Sequence, residues 1–271
     1  MRTFMLLLLA WALSGGPSAA AQAVPEPPAF DHSSWDSLLQ EFVDEVHRVD
    51  YARLLQQGRA ELDSYLSKVA ATDPDSLSPA SRKALLINAY NALTVGWVLE
   101  HYPVPSIWST PDPFKASRHT LGGKKLSLDE IESLLRTTGD PRIHAAVVCA
   151  ARSCPPLRRE AYTAEQIDVQ LDDNTRQWLA NPALNRFEPE TGRAEVSPIF
   201  KWYRDDFASY PGQLEGFLKH FAPEDAAPAL AGKNLQIMFN DYDWGLNDQS
   251  AVGEGYSFFQ LGIDWIKNLF R

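Results

Sequence analysis

The sequence predicts an α+β fold, a mostly helical single domain with a small, largely antiparallel sheet and a buried central helix. Three observations predict it. The stretch from Ser78 to His101 is apolar on nearly all sides, which describes a helix enclosed by its neighbours. Strand patterns are few and short, and two pairs of them flank the turn sequences Gly122-Gly123 and Pro189 to Gly192. Eight tryptophans, nine tyrosines and thirteen phenylalanines in 271 residues supply a well-packed core, and a chain of this length needs no second domain.

Taken in order, residues 1–23 read as a secretory signal peptide. Arg2 precedes an apolar run from Phe4 to Leu13 that is too short to span a bilayer, and an Ala-x-Ala site follows at Ala19 to Ala23. A periplasmic or secreted protein is expected, with no membrane attachment after cleavage. Residues 24–29 form a short tether, residues 30–248 the globular domain, and residues 249–271 a C-terminal amphipathic helix docked on it. Trp35, Leu38, Leu39, Phe42, Val43 and Val46 keep the 3.6-residue period of a first helix behind Ser33 or Ser34. Leu54 to Val69 carries a second helical segment. Ser78-Pro79 caps and starts the central helix, which Tyr102-Pro103 stops. His119 to Leu126 is a hairpin, and Ser127 with Glu130 makes a capping box for a helix through Leu135. The apolar run from Ile143 to Ala151 reads as a buried strand. Thr163 with Gln166 is read as a second capping box, Ser197-Pro198 as another helix start, and Leu235 to Phe239 as a strand running into Asp241-Tyr242-Asp243-Trp244.

The formal net charge is −10, and loss of Arg2 makes it one unit more negative. An acidic chain without a basic cluster argues against nucleic acid and anionic membranes. No glycine loop for nucleotide phosphates is present and no cofactor is expected, because Gly122-Gly123 is a hairpin turn. The expected partner is a small-molecule or peptide substrate.

The chemistry is sought around Cys149 and Cys154, the two cysteines of the chain. In an oxidising compartment they could pair, closing a small loop worth about 2 kcal/mol. A nucleophilic cysteine needs a neighbouring base instead. Cys154, in the Ser153-Cys154-Pro155-Pro156 loop, is expected to be reachable, and Cys149 to be buried in the strand. His144 is the first choice of base and His119 the second. On a straight strand His144 and Cys149 would face opposite sides, so the loop cysteine is preferred. Asp241 or Asp243 would orient the base, and Asn88 and Asn91, three apart on one helix face, are candidate substrate-orienting amides. His144, Cys149 and Cys154 match no common zinc spacing, so no metal is expected. These residues give a cysteine-dependent hydrolase or acyl transferase for an amide or thioester-like bond. The alternative is a non-catalytic binding or assembly domain with a structural Cys149–Cys154 disulfide.

Four motifs, Asn88-Ala89-Tyr90-Asn91, Leu126 to Glu132, Arg142 to Leu157 and Asp241 to Trp244, lie in the order in which they occur in the domain of unknown function 547 family, which the sequence resembles from Phe30 to Asn247. The resemblance implies a single globular domain, met in secreted bacterial proteins and in plant proteins, and brings no activity with it.

Overall fold

A computed structural model describes residues 29–231 and 235–269. The expected signal peptide and nearly all of the tether lie outside these residues. α1 (Ser33–Phe42), α2 (Tyr51–Gln57) and α3 (Arg59–Ala71) lead to the central helix α4 (Pro79–His101). The Ser78 side chain accepts the Ser81 N–H, and proline occupies the first turn, as its missing donor and fixed φ favour. Every residue from Ala84 to Gly96 is buried, because α3, α5 (Leu128–Arg136) and α7 (Ile167–Ala180) pack around the helix. Gly96 lets α3 approach, since a Cβ there would stand 3.2 Å from Leu66.

β1 (His119–Leu121) and β2 (Lys124–Leu126) pair antiparallel through Gly122-Gly123, both at positive φ as a primed turn requires. Ser127 and Glu130 form the reciprocal capping box of α5. The expected strand from Ile143 to Ala151 is a correction. Ile143–Ala146 is a helical turn, α6, and the chain then runs extended, with one isolated bridge from Ala151 to Leu246. Apolar periodicity cannot separate a short buried strand from a short buried helix, and here buried side chains outside the segment satisfy its backbone. Thr163 does not cap α7, which begins at Ile167 after Gln166; the Thr163 N–H goes to the Gln170 side chain.

β3 (Arg186–Glu188) and β4 (Arg193–Val196) are the second hairpin. α8 (Ile199–Trp202), α9 (Arg204–Ala208), α10 (Gln213–Phe221) and α11 (Ala227–Ala231) follow, and β5 (Gln236–Phe239) adds parallel to β4. The second sheet is therefore mixed, whereas the first is antiparallel. Trp178 of α7 stacks on Phe200 of α8 with centroids 4.6 Å apart, and Phe200, Phe207 and Phe217 continue the cluster through α9 and α10. This cluster fixes α8 and α9, which carry one wall of the site. The helix expected over residues 249–271 begins only at Phe258, after turns over 249–257; α12 (Phe258–Leu269) meets the 108–112 segment, where Asp264 accepts from Ser109 and Asn268 bonds the backbone at Trp108 and Asp112. No helix among the described residues is long and apolar enough to cross a membrane.

Candidate functional site

A cleft of about 370 Å³ opens between α5, the segment from α6 to Pro155, α8 and α12, with Cys149 and His144 on its wall. Trp108, Phe114, Trp202, Trp244 and Trp265 give it an aromatic surface, and Asp129, Glu132 and Lys115 add charge. The cleft pushes the Asp129 carboxyl above its ordinary value, mainly through lost hydration and next through repulsion by Glu132.

The backbone under the cleft is held by amides. Asn91 Nδ2 donates to the Ala146 carbonyl at 2.9 Å, and its Oδ1 accepts the Val148 N–H at 2.8 Å. Asn174 donates to the carbonyls of Ala145 and Pro156. Arg142, just before α6, binds Asp140 of its own turn and Asp168 and Asp172 of α7, while Lys83 of α4 meets Asp140 at 2.8 Å. The helical turn bearing His144 and the chain leading to Cys149 are thus pinned to α4 and α7.

Beyond Cys149 the chain turns back on itself. Ala150 takes a left-handed conformation, φ 60°, which costs a non-glycine residue about 1–2 kcal/mol. The strain is offset by pairing with the segment 243–247: Asn247 N–H donates to Ala150 O, Arg152 N–H to Gly245 O, and Ser153 N–H to Asp243 O. Gly245 is required there, because a Cβ would lie 2.3 Å from the Gly253 carbonyl oxygen. Cys154 then returns beneath Cys149 with the sulfurs 2.8 Å apart, both cysteines being free.

Accessibility is the reverse of the expectation. Cys154 is buried, and Cys149 is the partly exposed residue that lines the cleft. Cys154 Sγ accepts the N–H groups of Cys149 at 3.1 Å and Ala151 at 3.3 Å, and the Tyr242 hydroxyl stands 3.3 Å from both sulfurs. Burial alone would raise the Cys154 thiol. The donors from Cys149, Tyr242 and the two backbone amides hold it below its usual value. Cys149 is pushed up, first by its hydrogen bond to Cys154 and then by burial, so the pair's last proton resides on Cys149.

His144 is 2 % exposed and stacks on Tyr203, centroids 4.0 Å apart. Its Nε2 lies 2.8 Å from Asp206 Oδ2. Arg136 grips the same carboxylate with two nitrogens, at 2.6 and 2.8 Å, and holds it below the usual carboxylate range, with the His144 bond adding to the shift against the opposing effect of burial. An ionised carboxylate can only accept, so Nε2 carries the proton of a neutral His144 and Nδ1 keeps the lone pair. Nδ1 is buried and makes no hydrogen bond, with Glu132 Oε1 at 3.5 Å. Glu132 in turn faces the Tyr203 hydroxyl.

The remaining expected residues lie elsewhere. Asp241 and Asp243 are exposed, and Asp243 Oδ1 accepts the Gly245 N–H; neither orients His144. In that motif the cleft uses Tyr242 and Trp244. Asn88 exchanges two hydrogen bonds with the backbone of Tyr162, so both asparagines hold main chain and neither lines the cleft. His119 packs edge-on against Trp97, away from the cysteines. Asp206 and Glu132 were not singled out for His144; Glu132 closes the Leu126 to Glu132 motif, whereas no motif marks Asp206. Among the described residues no group of three or more His, Cys, Asp or Glu is arranged to hold a metal.

Burial, with Arg118 and Lys125 adding repulsion, lowers His119 to about 4, and burial lowers His32 to about 4 as well. Below the unfolded value near 6.5 the unfolded chain takes up these protons first, so their contribution is complete above that pH and is lost as pH falls toward 4. About 2 kcal/mol of stability per histidine is expected to be gone by pH 5. Urea midpoints measured from pH 7 to 5 check this: the fall should roughly halve in His119→Gln, and an unchanged slope would refute it.

No curated protein and no solved structure matches the chain. Residues 74–179 match the model of a family described as protein of unknown function, DUF547. The match takes in α4 with both asparagines, α5 with Glu132, His144 and the two cysteines, and stops before Asp206 and Tyr242. Over that segment the chain is similar to the DUF547 family.

Proposed function

We propose that the protein is a cysteine-dependent hydrolase or acyl transferase for an amide or thioester-like bond, with Cys149 as nucleophile and His144 as base. The observation that carries this is the pairing on one cleft wall of Cys149 with His144, whose buried Nδ1 has no hydrogen-bond partner while Asp206 holds the other ring nitrogen. Nδ1 takes the Cys149 proton, Sγ attacks the carbonyl carbon, and the tetrahedral adduct collapses as His144 returns the proton to the leaving group. Water, or an acceptor nucleophile, then releases the acyl group by the same exchange in reverse. Tyr90 and Lys115, on the cleft wall, supply donors for the carbonyl oxygen. The aromatic surface suits an apolar acyl or side-chain portion of the substrate. The leader-like stretch 1–23 supports work outside the cytosol.

The test is a panel of activated acyl esters and thioesters offered to the reduced protein, with the acid-quenched product read by intact mass and peptide mapping. An acyl group on Cys149 and none on Cys154 is expected. A chain that takes up no acyl group, or takes it on Cys154, would overturn the proposal and leave the cleft as a binding surface.

A further inference from the structure

The two sulfurs have a relationship that acyl chemistry does not use. We infer that Cys149 and Cys154 form a dithiol that exchanges with small-molecule disulfides, Cys149 as the sulfur that meets the substrate in the cleft and Cys154 as the sulfur that resolves it. The inference goes beyond the acyl-transfer reading and does not rest on it.

Three features carry it. The sulfurs are 2.8 Å apart, so closing to a bond of about 2.0 Å needs less than 1 Å of movement. They differ in access, with Cys149 on the cleft wall and Cys154 buried behind it. They also differ in surroundings. Cys154 Sγ accepts two backbone N–H groups and faces the Tyr242 hydroxyl, a set of donors that favours an anion on that sulfur. A nucleophile is therefore held next to the one sulfur that an incoming disulfide can reach. The left-handed Ala150 and the pairing of residues 150–153 with 243–247 keep the two cysteines in that relation.

The steps balance. Cys149 hands its proton to Cys154 across the shared contact and attacks one sulfur of the incoming disulfide. A Cys149 mixed disulfide forms, and the other half leaves as a thiolate that takes that proton from Cys154, which restores the Cys154 thiolate. Cys154 thiolate then attacks Cys149 Sγ, the mixed disulfide breaks, and the second half leaves as a thiol after protonation. The protein dithiol is oxidised by two electrons to an internal disulfide, and the small disulfide is reduced to two thiols. The closed form has no Cys149 thiol, so the same step would silence acyl chemistry at this site.

The full chain, reduced and then incubated with glutathione disulfide, is quenched in acid, alkylated and mapped by mass spectrometry. The wild type is expected to lose both alkylatable thiols, carry no glutathione, and recover both thiols in dithiothreitol without unfolding. Cys154→Ser should lose the internal bridge completely and keep glutathione on Cys149, whereas Cys149→Ser should take none on Cys154. Tyr242→Phe, which retains both sulfurs, should accumulate the Cys149 mixed disulfide transiently, because the resolving sulfur has lost a donor. The inference is overturned if the wild type stays a dithiol, if it retains glutathione, if glutathione appears on Cys154, or if the bridge forms and reopens only on unfolding. None of these readouts needs hydrolytic activity, so failure here and failure of the acyl-transfer reading are separable.

Discussion

Cys149→Ala is expected to abolish turnover of any ester or thioester that acylates the wild type, and Asp206→Ala to lower it roughly 10²- to 10⁴-fold, the usual contribution of a positioned base. The first removes the attacking sulfur. The second leaves both reacting groups in place and acts through the ring. Without a carboxylate at 2.8 Å from Nε2, nothing holds the proton on that nitrogen, and a His144 that carries it on Nδ1 cannot accept from Cys149. Arg136 loses its partner as well, so a structural loss must be told apart from a positioning loss. Arg136→Ala does this, because the bidentate ion pair is gone while the carboxylate remains on Nε2. Steady-state rates on one substrate are the measurement. Retention of most of the activity in Arg136→Ala is the expected result, and equal rates for Asp206→Ala and wild type would remove Asp206 from the mechanism.

Asn91→Ala is expected to cost roughly 2–6 kcal/mol of stability, since it leaves a buried carbonyl and a buried N–H unpaired at about 1–3 kcal/mol each. Those groups belong to Ala146 and Val148, the residues between His144 and Cys149. The substitution should therefore also change how fast Cys149 is alkylated at a pH and urea concentration where the protein remains folded. Asn88→Ala is the matching control. It breaks an equivalent pair of bonds at Tyr162, away from the cleft, and should lower stability by a similar amount while leaving Cys149 alkylation unchanged. Urea melts and iodoacetamide kinetics on the two variants give both readouts. If both variants alter alkylation alike, Asn91 acts through stability alone.

The same two asparagines illustrate what could be read in advance. Their spacing on one face of α4 was visible, and so was the need for partners at a buried amide. Which groups they would bond was not, because Ala146 and Val148 lie 55 and 57 residues further along the chain. His144 and the cysteines were singled out together, and the structure reverses the expected exposure of the two cysteines. The reversal follows from reading Ile143 to Ala151 as one straight strand. In the structure it is a turn of helix, an extended step and a left-handed alanine, and that path brings His144 and Cys149 to one cleft while folding Cys154 underneath.

The sequence by itself determined the mostly helical α+β class, the central helix with its Ser78-Pro79 start, the glycine hairpin, the Ser127–Glu130 capping box and the family resemblance. Each of these depends on residues within a few positions of one another, where caps, turns and periodicity act. Tertiary structure alone decided which cysteine meets the cleft, which carboxylate holds His144 and which aromatic side chains enclose the site. Asp206 stands 62 residues from His144, and Tyr242 stands 88 from Cys154. Contacts at such separation leave no periodic trace, because they are made by the packing of α8 and α9 and by the return of the 243–247 segment onto residues 150–153.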